Sequence, residues 1–421
     1  MLRSLVGYAR GVGMDARWLV IEGRPAFFRV TKRLHHALHG ALGDASPLGA
    51  AERVVYDQTL HENARALAAI VRPGDVAILH DPQTAGLGPH LLAAGLSVVW
   101  RCHIGSDGAN EETERGWRFL EPYLCDIPAF VFSRSAYIPP YCDHGKSAVI
   151  PPSIDIFSSK NQPMAEPAVH TILVHVGLVE GPPPEPADHG FTRLDGTPGR
   201  VQRRADVIRM GRASAWETPL VVQVSRWDEL KDMQGVMEGF ARLSNGATPA
   251  DAELVLAGPN VKAVADDPEG ARVFDDVVTA WRALPHGTRN RIHLATLPTE
   301  DVDENGAIVN ALQRHAAVVV QKSLREGFGL TVTEAMWKAR PVVASAVGGI
   351  QDQIEDGVSG VLLPSPTDLD ALGRALRELL ENPAEAGRLG AAAHERVRER
   401  YLGVMSLLRY AELLERVSAA R

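Results

Sequence analysis

The stretch Ala316-Ala317-Val318-Val319-Val320-Gln321, followed closely by Arg325-Glu326-Gly327-Phe328-Gly329-Leu330-Thr331-Val332-Thr333-Glu334-Ala335, decides the fold. A short valine-rich run with turn residues behind it reads as a buried parallel strand, and the text after it opens a helix. Gly327 and Gly329 let the backbone approach a ligand closely, and the free N–H groups at a helix start suit an anion such as a diphosphate. Two carboxylates bracket the turn. Glu326 stands near the strand end, where it can accept hydrogen bonds from vicinal sugar hydroxyls; Glu334, further into the helix, can take both hydroxyls of a ribose. On their own, the same residues also read as an ordinary strand-to-helix loop in which Glu334 complements the helix dipole.

Outward from this unit, short apolar runs alternate with amphipathic stretches, the pattern of β-α-β units and parallel sheets. In the first half strands are predicted at Arg17 to Ile21, Val76 to His80, Ser97 to His103, Ala129 to Phe132 and Ala148 to Ile150, with helices at Ala51 to Val71 and Glu111 to Tyr123. In the second half they are predicted at Leu220 to Val224, Glu253 to Ala257, Arg291 to Leu294, Ala316 to Gln321 and Val342 to Ala344. The prolines of Pro151-Pro152-Ser153-Ile154-Asp155 exclude helix and fix a stiff join. The expected organisation is one α/β domain over residues 1–155, a second over 156–400, and a C-terminal helical segment, 401–421, returning to the first. Ala384 to Ala420 is helical by period. Residues 181–204, rich in Pro, Gly and charge, have a composition that cannot pack a core and read as a surface insertion. Ligands of open α/β sheets bind beyond the C-terminal ends of the strands, so the active site is expected in a cleft between two facing domains.

Composition narrows the function. A chain of 421 residues exceeds the size of a single core. Its 44 Lys and Arg against 52 Asp and Glu give a net charge of -8, which argues against a nucleic-acid partner. Cys102, Cys125 and Cys142 have no paired spacing, so neither a disulfide framework nor a zinc site is expected. There is no apolar run of the ~20 residues that cross a bilayer and no signal-peptide pattern, so a cytoplasmic location is expected.

A second cluster, Ser225-Arg226-Trp227-Asp228-Glu229-Leu230-Lys231-Asp232, follows the strand Leu220 to Val224. Arg226 and Lys231 are placed to neutralise a diphosphate, although an Arg and a Lys in a polar loop alone read as solvated surface. In the first half, His80-Asp81-Pro82-Gln83 and Trp100-Arg101-Cys102-His103 put two histidines at the ends of parallel strands. The stretch from Glu22 to Gly40 gathers cations and histidines around Phe27-Phe28; pattern alone makes it an amphipathic helix with a wet basic face. Asp266-Asp267 reads as a polar turn, and no Asp-x-Asp segment stands at a strand end.

The two glutamates with their glycine spacing match the E-x7-E motif of glycosyltransferase family 4, and the Ser225 to Lys231 text resembles that family's donor-phosphate loop. The Glu22 to Gly40 stretch, with His80-Asp81-Pro82-Gln83, Trp100-Arg101-Cys102-His103 and Pro151 to Asp155, is similar to the trehalose-synthesising members. The resemblance spans nearly the whole chain apart from the Pro/Gly insertion. It implies a GT-B architecture: two doubly wound Rossmann-like domains facing a cleft, acceptor side first and nucleotide-sugar side second.

By that resemblance His103, Arg226, Lys231 and Glu326 are catalytic, with His103 beside the transferred sugar. Gly327, Phe328, Gly329, Leu330, Glu334 and, from the region near the nucleobase, Leu312 hold the donor. Glu22, Lys32, His80, Asp81 and Gln83 face the acceptor. The implied reaction is a retaining, front-face transfer of glucose from a nucleoside diphosphate glucose to glucose, forming trehalose. The nucleotide sugar is a substrate, no cofactor or metal is expected, and a homodimer is a candidate assembly. A retaining trehalose phosphorylase, with inorganic phosphate in place of the nucleotide, and a non-catalytic sugar-nucleotide-binding protein are the rival readings.

The last expectation concerns the start of the chain. Leu2, Leu5, Val6, Ala9 and Val12 recur at helical spacing, so Met1 opens directly onto a helix. A doubly wound domain normally has its first strand mid-sheet. Its first strand is therefore expected upstream of Met1, and the family resemblance implies a Gly-rich loop behind that strand.

Overall fold

The computed structural model describes residues 2–43, 46–244, 252–261 and 268–419. Met1, Asp266-Asp267 and Ala420, on which sequence expectations fall, lie outside the described residues. The chain divides into one unit of residues 1–152 with 403–421 and a second of residues 153–402.

The first unit holds four parallel strands, β1 (Val76–His80), β2 (Ser97–Cys102), β3 (Ala129–Phe132) and β4 (Ser147–Val149), in the spatial order of the chain. On one face Val98, Trp100, Phe130 and Phe132 pack with Phe27, Leu34, Tyr56 and Leu120. On the other, Val99, Val131 and Ile150 pack with Tyr410 and Leu413 of the helix Gly403–Ala419. Because β2 and β3 are covered on both faces, their sequences run almost continuously apolar. The stretch Arg17 to Ile21 is not a strand. It has no ladder partner, and Trp18, Leu19 and Val20 are exposed. Aromatic and β-branched residues favour strands only where a neighbouring strand and a buried face receive them.

The second unit holds β5 (Val179–Glu180), β6 (Gly190–Thr192), β7 (Pro198–Arg200), β8 (Asp206–Ile208), β9 (Ser214–Ala215), β10 (Leu220–Val224), β11 (Glu253–Pro259), β12 (Ile292–Leu297), β13 (Val318–Gln321), β14 (Val342–Ser345) and β15 (Val361–Leu363). Seven of them form a sheet in the order β15-β14-β13-β10-β11-β12-β8, parallel except for β8. The order reverses at the adjacent pair β10 and β13. Loops leaving these two strands diverge to opposite faces and open a crevice at their C-terminal ends.

Residues 181–204 do contribute to a core, against expectation. Phe191 and Val201 are buried within the main cluster of this unit, and β6 and β7 form a hairpin. A buried carboxylate fixes the segment: Glu304 Oε1 accepts from the backbone N–H of Gln202 at 2.6 Å and of Arg203 at 2.7 Å, while Oε2 pairs with the Arg203 guanidinium. Composition concealed this because one aromatic and one valine suffice when a distant glutamate satisfies the backbone. The helix expected from Ala384 to Ala420 is two helices, Pro383–Arg400 and Gly403–Ala419. Between them the Tyr401 carbonyl accepts from Ile154 N–H at 2.9 Å. Both helices are amphipathic, so periodicity ran through the break. Among the described residues no helix is long and apolar enough to cross a membrane.

Replacing Glu304 with Ala leaves two N–H groups without their acceptor and the Arg203 guanidinium with Glu300 as its remaining carboxylate, costing about 1–3 kcal/mol in total because the segment borders water. Hydrogen exchange at Gln202 and Arg203 is expected to accelerate at least roughly tenfold; unchanged protection there would show that the hairpin does not depend on this carboxylate.

Candidate active site

In the second unit, Lys231 follows β10 and Glu326 follows β13. Their side chains meet across the reversal point, Nζ to Oε2 at 2.5 Å, with 14% and 13% of the side chains exposed. Ser323 Oγ donates to the same carboxylate oxygen at 3.3 Å. The two loops are joined by their backbones as well, Leu324 N–H donating to the Leu230 carbonyl at 2.8 Å. Arg226 is the opposite case. Its side chain is 70% exposed and leans on Asp228 at 2.9 Å, while Asp228 Oδ1 accepts from Leu230 N–H and closes the turn.

Beneath this pair lies a second, which sequence reasoning missed. Lys322, fully buried directly after β13, is paired with Asp232. Asp232 has φ 47° and its Oδ1 accepts from Gly235 N–H at 3.0 Å, capping the helix Met233–Ala241. Asp tolerates this left-handed conformation better than most residues. Lys231, one residue earlier, is held by that turn. A lysine ending an apolar strand was the available signal.

The helix Leu330–Trp337 begins at Gly329, whose φ of 83° favours glycine. Phe328 is buried, its ring against Tyr401 with centroids 5.8 Å apart. Gln353, also missed, is fully buried and donates from Nε2 to the Phe328 carbonyl, while its Oε1 accepts from Thr333 Oγ1 at 2.6 Å. Gly349 N–H donates to the Gly327 carbonyl at 3.2 Å. Leu330 is partly buried beside this core. Glu334, 7% exposed, lies 2.8 Å from Lys160 Nζ through Oε2. The contact is an ion pair without hydrogen-bond geometry, and Oε2 has no hydrogen-bond donor among the described residues. Next to it Lys338 is buried, donating to Asn161 Oδ1 at 3.1 Å and to the Glu334 carbonyl at 3.0 Å. Burial pushes its ammonium down to about 7. Leu312 does not face a ligand: it is fully buried in the core cluster. A helix read one residue at a time does not reveal which side the sheet covers.

In the first unit, His80 and His103 end the neighbouring strands β1 and β2. His80 Nδ1 lies 3.1 Å from His103 Nε2, with the rings near parallel at 17°. Burial, reinforced by the Arg101 guanidinium, lowers His80 to about 4 and His103 to about 2. The pair is therefore neutral at pH 7. Asp81 adopts φ 62° and its Oδ1 accepts from His103 N–H at 2.7 Å; burial raises it to about 6. Arg101 is itself buried and turned away, donating to the Ile150 carbonyl and, at 3.3 Å, to Ser133 Oγ. Gln83 Oε1 is buried with no hydrogen-bond partner. Glu22 and Lys32 are exposed; the Glu22 backbone is held by Asn63, and neither side chain bonds to the histidine pair among the described residues.

The family profile described as "Trehalose synthase, N-terminal domain" matches residues 1–139, and that of "Glycosyl transferases group 1" matches residues 298–396. The chain is 34% identical over 405 residues to a trehalose synthase of Rubrobacter xylanophilus, covering 96% of this chain and 83% of that protein. It is 32% identical over 414 residues to a trehalose synthase of Pyrococcus horikoshii, covering 98% and 85%. The fold is that of an α,α-trehalose-phosphate synthase (UDP-forming) from Burkholderia vietnamiensis, with TM-score 0.65 and 18% identity over 94% of this chain and 85% of the other.

Asp81 supplies a pH test. Its pKa is raised from 3.8 to about 6, so between these values the folded chain binds a proton that the unfolded chain has lost. Stability from this group accordingly falls as pH rises through that window. Asp81→Asn keeps the acceptor for His103 N–H and removes the ionisation. Chemical denaturation is expected to show a gain in stability at pH 7 relative to wild type and no gain at pH 4; equal differences at both pH values would remove the buried charge as the cause.

Proposed function

Because the chain belongs to the trehalose synthase family of group 1 glycosyltransferases, we propose that it transfers glucose from a nucleoside diphosphate glucose to glucose, forming α,α-trehalose with retention at the anomeric carbon. The observation that carries this reading is the Lys231–Glu326 pair at the reversal of strand order. A cation suited to the diphosphate and a carboxylate suited to sugar hydroxyls stand side by side, over a helix start whose N–H groups favour an anion.

On this reading the donor separates the pair. Its diphosphate takes Lys231, with Arg226 swinging in from solvent, and its sugar hydroxyls turn to Glu326. The ribose hydroxyls donate to Glu334. The acceptor hydroxyl attacks from the face the diphosphate leaves: the anomeric carbon–phosphate oxygen bond breaks, the new glycosidic bond forms, and the acceptor proton passes to the departing phosphate oxygen. Negative charge grows on that phosphate, so the fixed cations act most strongly at the transition state. No metal ion enters this scheme. His80 and His103, uncharged at neutral pH, are suited to hydrogen-bond a hexose hydroxyl without charging it.

Incubation with UDP-, ADP- or GDP-glucose plus glucose is expected to yield a non-reducing disaccharide with α,α anomeric couplings in proton NMR. A β linkage overturns retention, and product from α-glucose 1-phosphate plus glucose without nucleotide, with release of inorganic phosphate, assigns the phosphorylase reaction instead. Lys231→Ala or Arg226→Ala is expected to lower kcat by at least roughly a hundredfold, the scale for losing one fixed stabiliser of developing charge. Glu334→Ala is expected instead to raise the donor KM, since ribose contacts change little along the reaction; an unchanged KM would contradict the ribose role.

A further inference from the structure

Lys160 is used neither by the sequence motifs nor by the transfer just described, yet the second unit fixes it from several sides. The residue before it is tied to the helix Val302–His315, with Asn310 Nδ2 donating to the Ser159 carbonyl at 3.1 Å and Ser159 Oγ donating to Asp303 Oδ1 at 3.1 Å. Gly306 of that helix approaches so closely that a Cβ there would stand 2.4 Å from Ser159 Oγ and 3.2 Å from Lys160 N. The residue after it is tied to the end of the next helix. Trp337 Nε1 donates to the Asn161 carbonyl at 3.1 Å, and Lys338 Nζ to Asn161 Oδ1. Two helices thus clamp a short turn whose outward product is one lysine side chain, 34% exposed, with its ammonium 2.8 Å from the nearly buried Glu334 carboxylate.

An ordinary structural ion pair does not account for this arrangement. Among the described residues the buried oxygen Glu334 Oε2 receives no well-aligned hydrogen bond from Lys160 or any other group, and buried carboxylates are normally satisfied. Half-wet lysine pairs contribute little stability and cost side-chain entropy. A hydroxyl completes the geometry, because it donates to a carboxylate while its oxygen accepts from an ammonium.

We propose that Lys160 is a nucleoside-binding residue: its ammonium donates to a ribose hydroxyl oxygen whose hydrogen is accepted by Glu334. The proposal rests on the reading of Glu334 as the ribose acceptor. It makes Lys160 a determinant of ribose recognition, separate from the diphosphate cations Arg226 and Lys231.

The test is calorimetric binding of UDP, ADP and GDP, of their 2′- and 3′-deoxy forms, and of inorganic pyrophosphate, to wild type and Lys160→Met. The variant is expected to bind the preferred ribonucleotide about tenfold more weakly, the scale for one hydrogen bond to a charged group. Its preference for ribo- over one of the deoxynucleotides is expected to collapse, with pyrophosphate affinity unchanged within about twofold. Weakening that is equal for nucleotide and pyrophosphate, or an intact ribose preference, overturns the proposal. Should Lys160→Met fail to fold, wild type answers alone. Acetylation of Lys160, followed by mass spectrometry, is expected to be blocked by the saturating nucleotide and not by pyrophosphate, and equal labelling with nucleotide bound overturns the proposal. If wild type binds no nucleoside diphosphate, the donor reading itself fails, and this proposal with it.

Discussion

The adjacency of β10 and β13 is the constraint on which the rest of the second unit depends. Strand order reverses there, so the loop after each strand leaves toward a different face and neither fills the space above the sheet. The two loops instead lean together through Leu324 N–H to the Leu230 carbonyl and through Lys231 to Glu326. The charges are layered. Lys322 and Asp232 form the floor, with the lysine buried, and Lys231 and Glu326 form the surface. Removing one partner of the floor pair strands a charge in a dry site, which is far costlier than losing an exposed pair. The floor therefore fixes the turn, and the turn fixes Lys231.

The helix start beside it is rigid for a different reason. A helix of this kind offers N–H groups only if the backbone before it is locked, and a loop containing Gly327 and Gly329 is intrinsically loose. Gln353 supplies the lock. Its amide donates to the Phe328 carbonyl and its oxygen is held by Thr333, within the same helix that it positions. Phe328 adds an apolar anchor on Tyr401. Rigidity in this glycine-containing loop is thus imported from a buried glutamine.

This division explains what was legible in the sequence. Lys231, Glu326 and Glu334 stand next to valine-rich strands and glycines, so local text marks them. Gln353, Lys322, Asp232 and Lys160 act through partners remote in sequence, and no local spacing announces a contact such as Lys160 with Glu334. The same limit produced the errors. Arg17 to Ile21 has strand composition without a strand beside it, residues 181–204 look unfoldable until Glu304 satisfies their backbone, and Leu312 lies on a covered helix face. Core strands were readable because burial on both faces leaves a continuous apolar run, a property of the segment itself.

Electrostatics differ between the two units in a way that follows from burial. In the second unit Lys231 and Lys322 are each matched by a carboxylate at short range. In the first, His80 and His103 are half-buried, and among the described residues no carboxylate pairs with their rings: Asp81 turns its oxygen to the His103 backbone instead. Arg101 donates to Ile150 and Ser133 and acts on the histidines through space, pushing both rings further toward neutrality. A neutral imidazole pair has one donor and one acceptor left over after its mutual hydrogen bond, which matches a hydroxyl and offers nothing special to a phosphate.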